Sequence, residues 1–431
     1  MANLSSSRLN AAGEPVSPAS YELYSVKLYT NYETDYEIRG IVTDIVVNES
    51  IFNTSIQTEL TLVDGINFLE KAKLTGSEKI EIVIKRSDEK YNIECYIANI
   101  ESYSKSRPGV QVYKFKCVSR HAYYNTFMRL NRAFKGGIGA LVKNVCEKDL
   151  DTKVAKLNTD TKGIIHGIYP HLKPLDAIVW LLRNSTDNST PFYFYETLKD
   201  GLIFDSYESM VDSEVYRKYK HKPFMDDIVS TEENYAEAQT KIIKLSSEFD
   251  VGKYFAIHDG AYASSVKTVD VATKSYKTSK FNYKKIKTLN DNKPFSDNIK
   301  FNDTTLNGLT ESKIHHISLN SKAYGKLTNY HTPIADSISS KQAYHVNLGY
   351  MGQDLQVYGD FDLSVGMVVE LEIYKSSDEK ILEEDRKNMI DKMTSGKYLI
   401  TDIAHIFNGE EYIIDMGLQK DSSATDLTEI L

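Results

Sequence analysis

The side chains that could do chemistry are sparse and poorly grouped. His315 and His316, with His331 and His345, form the densest histidine set in the chain. A metal centre needs donors that converge and are held by further hydrogen bonds, and this spacing predicts no convergence. His166 and His171 flank Gly167 and Pro170 and read as loop residues. Gly136-Gly137-Ile138-Gly139 precedes a helical pattern as a phosphate-binding loop would. It lacks the Gly-Lys-Ser/Thr ending and completes no dinucleotide fingerprint. Glycine permitting a tight bend into a helix explains it more simply. Asp360, Asp362 and Gly366 lie close together without the spacing or terminal Glu of a calcium loop. No nucleophile-elbow pattern stands out, and sequence alone places no two carboxylates across a groove. The expectation is a protein that is not an enzyme, with no catalytic, metal or cofactor residues.

Composition points the same way. The chain has 431 residues, which suggests two to four domains at about 100–200 residues each. It carries 30 Tyr and 16 Phe but a single Trp, Trp180. Aromatic rings of this kind suit pleated, half-buried sheet surfaces. The net charge of −8 argues against general binding to phosphate backbones, which needs clustered Lys and Arg. Eight lysines between Lys267 and Lys293 face only Asp270 and Asp291. A solvated loop or hairpin face is the preferred reading of that stretch, and a docking surface for an acidic partner is the sharper one. Cys95, Cys117 and Cys146 show no paired spacing and read as small buried hydrophobes in a reducing compartment. The first twenty residues contain no apolar signal region, and no run reaches the length of a membrane span.

The elements needed to position anything are mostly strands. Ile38–Val47, Ser55–Val63, Ile80–Lys85, Tyr91–Tyr103 and Val110–Val118 are runs separated by short turns. With one short helix at Ile66–Ala72 they predict an antiparallel barrel or sandwich over residues 21–119. Residues 120–235 read as a small α+β unit: helices over Arg120–Phe134, from Ile138 and from Pro174, then a strand at Thr190–Thr197 and a returning strand at Leu202–Asp205. Gln239–Phe249 and Tyr254–His258 read as strands of another β unit, which resumes at Val346 and runs to residue 420. A helix is expected at Lys380–Met393 and a hairpin at Asn408-Gly409. Residues 259–340 read as an insertion, residues 1–20 as a mobile tail and 421–431 as a polar tail.

The segment Gln356–Tyr374, QVYGDFDLSVGMVVELEIY, resembles the strand–turn–strand of hub proteins in contractile injection machines. Gly359, Leu363 and Gly366 occupy the places of its glycine, apolar residue and second glycine, and Val368 opens the following strand. Gly396–Leu418 resembles the closing hairpin of such hubs, and the segment PLDAIVWLLRNSTDNSTPFYFYETLKDGLIF resembles their helix–strand–turn–strand module. The family resembled is the baseplate central hub of contractile-tailed phages.

That resemblance implies an α+β, mainly β chain with two antiparallel β-barrel domains, the second split by an insertion, plus a smaller α+β domain. It further implies a homotrimer whose six barrels form a pseudo-six-fold ring between tail tube and spike. The implied partners are the spike protein, a tail tube or tube-initiator protein, the tape-measure protein and neighbouring baseplate proteins. DNA would meet the ring only in transit through its channel. The implied location is the tail baseplate of the virion, after synthesis in the host cytoplasm. A hub of a related injection or secretion system is the alternative. A tail-associated cell-wall hydrolase and a sugar-binding tail protein are weaker ones.

Overall fold

The computed structural model describes residues 18–423, apart from 33, 87–88, 108, 159–160, 162, 186–189, 222–238, 250–252, 284–286, 291–299, 302, 306–307, 321–330, 376–389 and 410. The first unit contains β1 (Glu22–Tyr29), β2 (Asp35–Glu37), β3 (Val42–Ser50), β4 (Gln57–Asp64), α1 (Phe68–Ala72), β5 (Lys79–Arg86), β6 (Glu89–Arg107) and β7 (Val110–Val118). Period-2 patterning sets its faces. Ile80, Ile82 and Ile84 point into the core, while Glu81 and Val83 between them are half-buried.

The second unit holds α2 (Arg120–Asn125), β8 (Ala133–Gly136), α3 (Ile138–Asp149), β9 (Val154–Leu157), β10 (Ile165–Ile168), α4 (Pro174–Asn184), β11 (Phe192–Thr197), β12 (Gly201–Ser206) and α5 (Tyr207–Val211). Its own core joins Val142, Val145, Ile178 and Leu181 of the helices to Phe192 and Phe204 of the sheet. The expected helix Arg120–Phe134 stops at Asn125; Leu130 bridges to Leu172 and Ala133 starts a strand instead. Pairing with β10 outweighs the helical spacing there.

The rest of the chain contributes β13 (Val215–His221), β14 (Lys244–Phe249), α6 (Lys253–His258), β15 (Ala263–Asp270), β16 (Ser275–Asn282), β17 (Lys300–Phe301), β18 (Thr304–Thr305), β19 (Ile314–Leu319), α7 (His331–Leu348), β20 (Met351–Tyr358), β21 (Val368–Ile373), β22 (Gly396–Asn408) and β23 (Glu411–Lys420). Two expectations fail here. Tyr254–His258 is helical, not a strand, since a short apolar run carries no decisive period. Val346 lies inside α7, which packs on β15 and β16 through small and polar residues such as Ser339, Ser340, Ala343 and Asn347. The helix expected at Lys380–Met393 falls mostly outside the described residues.

The sheet order is β14-β20-β23-β22-β3-β4-β7-β6-β5-β1-β2, with β21 beside β22 and β13 beside β21. The two expected β-barrels are therefore not separate. β22 pairs antiparallel with β3, from Asp402 opposite Ser50 to Asn408 opposite Asp44, so both β units share one sheet. Among the described residues no continuous ladder closes either unit; the later one turns back on itself through a single parallel bridge between Lys220 and Lys241. Both chain ends of the described region are pinned. Tyr412 N donates to Ala19 O at 2.8 Å, and Asp421 to Ser423 are buried, not a free polar tail. No described helix is long and apolar enough to cross a membrane.

Candidate functional site

The turn between β20 and β21 gathers side chains from every unit around it. Gly359 donates its N–H to Tyr412 O at 2.9 Å, with its Cα against the Tyr412 ring; a Cβ there would stand inside the ring. Its carbonyl accepts from Arg86, whose guanidinium also donates to Pro18 O at 2.8 Å and lies over Tyr412, 5.7 Å from the ring centre. Asp360 accepts from Tyr216 Oη at 2.8 Å and pairs with Arg217 at 2.9 Å. Phe361 stacks on Tyr91, ring centres 3.7 Å apart, and packs on Phe407 and Tyr412. Lys199, from the β11–β12 turn, pairs with Asp362 at 2.8 Å. Gly366 has φ +84°, a conformation that favours glycine, and a Cβ there would strike Tyr195 Oη. Leu363 and Val368 are fully buried in the main core. Gly359, Leu363 and Gly366 thus sit within one close-packed turn, and Val368 opens β21 directly after it.

Behind this turn lies a buried polar chain that sequence reasoning missed. Glu49 of β3 accepts N–H bonds from Leu198 at 2.5 Å and Val365 at 3.4 Å. Its carboxylate is also 3.5 Å from His405 Nε2 of β22, both side chains fully buried. His405 Nδ1 and Tyr412 Oη are hydrogen-bonded at 2.8 Å. Glu49 therefore ties the first β unit to the α+β unit and to the second β unit at once. A carboxylate this deep needs such donors, because an unpaired buried charge costs several kcal/mol. The signal was available: Glu49 shares strand parity with Ile45 and Val47, and His405 with Ile403 and Phe407. Glu196 acts alike nearby, accepting from Ile56 N at 2.8 Å and from the Ser119 hydroxyl, with His121 Nδ1 3.7 Å away.

The outer face of the shared sheet is acidic where the second β unit contributes to it. Asp354, Asp402 and Asp415 line a concave surface of about 950 Å³ with Asn48, Lys244 and Gln356. Partial burial, then the neighbouring charges of Glu248, Asp402 and Asp415, push the Asp354 carboxyl above its ordinary range. On the first unit the corresponding lysines are matched: Lys116 lies 3.0 Å from Glu101, and Lys79 3.0 Å from Glu94.

The other sequence candidates stay apart. His315 and His316 are successive on β19 and point to opposite faces, and His345 lies on α7 with its ring 6.1 Å from Phe52. Gly137 is the residue before α3, as the bend reading required. Among the described residues no three His, Cys, Asp or Glu side chains converge as a metal site. The three thiols are buried and unpaired by disulfides.

Two β units sharing one mainly antiparallel sheet, with an α+β unit at the glycine turn and an insertion beside them, define a class of mainly β fold. No family model matches the chain, and no curated protein matches it. Among solved structures, a tail protein from Neisseria meningitidis MC58 matches with a TM-score of 0.53 and 11% identity, over 93% of this chain and 97% of that one. The 43 kDa tail protein of prophage MuSo2 from Shewanella oneidensis matches with a TM-score of 0.54 and 11% identity, over 93% and 99%. At that identity the likeness is one of fold. The fold implied by the resemblance to baseplate hub proteins is thus a phage tail-protein fold, shared along nearly the whole chain.

Proposed function

We propose that this chain is a structural baseplate hub, three copies of which close a pseudo-six-fold ring between tail tube and spike. The observation that carries the reading is the β3–β22 ladder. It joins two β units of one chain edge to edge, as neighbouring subunits of a ring would have to be joined. The strip β14-β20-β23-β22-β3-β4-β7-β6 is antiparallel throughout. Beyond Ile97, β6 pairs only with β7 among the described residues, and β14 only with β20. These edges run in opposite directions, so β14 of one copy can extend β6 of the next and repeat the joint between chains.

In this reading the acidic outer face of the strip lines the channel. Carboxylates there repel phosphate, so DNA passes without being held. The two β units would serve as the barrels of the ring. Spike, tube or tube-initiator, tape-measure and other baseplate proteins would be its partners in the virion, with no catalytic step of its own.

Light scattering on the purified chain tests the ring. A mass near three times 49.0 kDa, alone or with spike and tube proteins added, is expected. A monomer under all those conditions would reject it. The channel assignment has its own test: Asp354→Lys, Asp402→Lys and Asp415→Lys together should make the ring retard duplex DNA on a gel. No retardation would mean that another face lines the channel.

A further inference from the structure

The insertion carries a second open sheet face with the opposite character. β15 is its central strand, antiparallel to β16 and parallel to β19. One face packs on α7, where Ser264 Oγ and Ser339 Oγ are hydrogen-bonded at 3.0 Å. The register places three rows on the other face: Lys280–Ser265–Ile314, Thr278–Lys267–His316 and Tyr276–Val269–Ser318. No row contains a carboxylate.

On the other sheets of this acidic chain several exposed lysines are answered by acids, as for Lys116 and Lys79, and Lys218 lies 3.1 Å from Glu370 and 3.0 Å from Glu372. Single lysines such as Lys90 and Lys244 carry no ion pair among the described residues. Among the described residues no carboxylate lies within ion-pair distance of Lys267 or Lys280. The nearby acids are engaged otherwise. Asp270 is buried and accepts from Ala272 N at 2.8 Å, while Asp259 faces His258 and Lys313. Apolar groups edge the same face, with Tyr276 61%, Val269 40% and Ile314 40% exposed.

We propose that this face docks an acidic, apolar-flanked segment of a partner protein. Such a segment supplies the missing carboxylates to Lys267 and Lys280 and covers Tyr276, Val269 and Ile314. Charge complementarity selects it: the lysines are unanswered on a chain of net charge −8. The face holds one tyrosine ring and the His316 imidazole, in separate rows, where single-stranded nucleic acid would be expected to stack successive bases on several aromatic side chains. The inference does not depend on the ring.

The probe is a fluorescein-labelled peptide in which Glu and Asp alternate with Leu and Thr, read by anisotropy on the full chain. Saturable binding that weakens with added salt is expected. Lys267→Glu with Lys280→Glu should weaken it at least tenfold, whereas Lys143→Glu with Lys148→Glu on α3, the same charge change elsewhere, should leave it within twofold. If the double Glu variant does not fold, Lys267→Gln with Lys280→Gln replaces it. Tyr276→Ser should weaken binding several-fold at any salt. Absence of peptide binding, or equal loss in the α3 variant, would overturn the proposal. So would tighter binding of a labelled oligo-dT strand, or self-association abolished by the double Glu variant, which would assign the face to nucleic acid or to a second copy.

Discussion

The chain is held together at two junctions of opposite chemistry. At the Gly359–Gly366 turn the joint is made by rings, a backbone pressed on a ring, and a fully buried carboxylate. Where the insertion meets the rest, it is made by ionisable groups. Lys341 of α7 donates to the last carbonyls around α4, Leu182 O and Arg183 O at 3.1 Å and Ser185 O at 2.5 Å. Lys287 pairs with Asp212, and buried Asp421 accepts from Tyr207 Oη at 2.8 Å and Leu289 N at 3.0 Å. Asn290 bonds both Lys397 and Ser422. The first joint resists substitution but is set by shape; the second answers to pH.

The largest expected effect separates the two at once. Glu49→Ala leaves the Leu198 and Val365 N–H groups without their acceptor in a dry site and should cost about 3–5 kcal/mol in urea unfolding. Gly359→Ala forces Tyr412 or the backbone to move and should cost about 2–3 kcal/mol. Gly409→Ala, at φ +59° with open space around it, should cost less, about 1 kcal/mol. Equal losses at the two glycines would mean that the turn is not sterically tight.

The second joint is tested by pH. Burial lowers the Lys341 ammonium from 10.5 to about 8. It holds its proton less tightly in the fold, so the stability it lends is full above the unfolded value and is lost as pH falls through the folded one. Burial raises the Asp421 carboxyl above its ordinary 3.8, and its share is full below that value and lost as pH rises through the folded one. The joint should therefore be weakest near neutrality and tighten toward about pH 9–10. Hydrogen exchange at the amides of β15 and α7, measured across that range, reports it. Lys341→Met should flatten the alkaline part of the profile, and Asp421→Asn should gain stability at pH 7. A profile unchanged by both would assign the pH response elsewhere. The smallest effect belongs to the exposed face: Asp354→Asn should stay within about 0.5 kcal/mol, on the stabilising side.

The sequence discloses these regions unequally, for physical reasons. Strand runs such as Ile80–Ile84 and the Asn408-Gly409 hairpin were readable because one face is wet and the turn needs a positive φ. The glycines of the β20–β21 turn were readable as a motif, but not the Tyr412 and Tyr195 side chains that exclude any other residue there, since those contacts are between distant parts of the chain. The β3–β22 pairing was invisible for the same reason; it needs a register between edges, which strand patterns do not encode. α7 escaped notice because its buried face is mostly Ser, Ala and Asn, with Tyr344 and Leu348 alone as large apolar residues, which leaves almost no apolar period. The lysine stretch reads as a solvated loop or hairpin face, and its first part, over β15 and β16, is a hairpin.

The β3–β22 ladder also has a consequence in time. On the ribosome, residues 44–50 emerge about 350 residues before their partners 402–408. At the usual 5–20 residues per second that interval is roughly twenty to seventy seconds. Throughout it, the edge of β3 is an unpaired template carrying Ile45, Val46 and Val47. The nascent chain must therefore keep that edge from other strands until its own β22–β23 hairpin arrives, so the demand for chaperoning falls on the unit that carries β3.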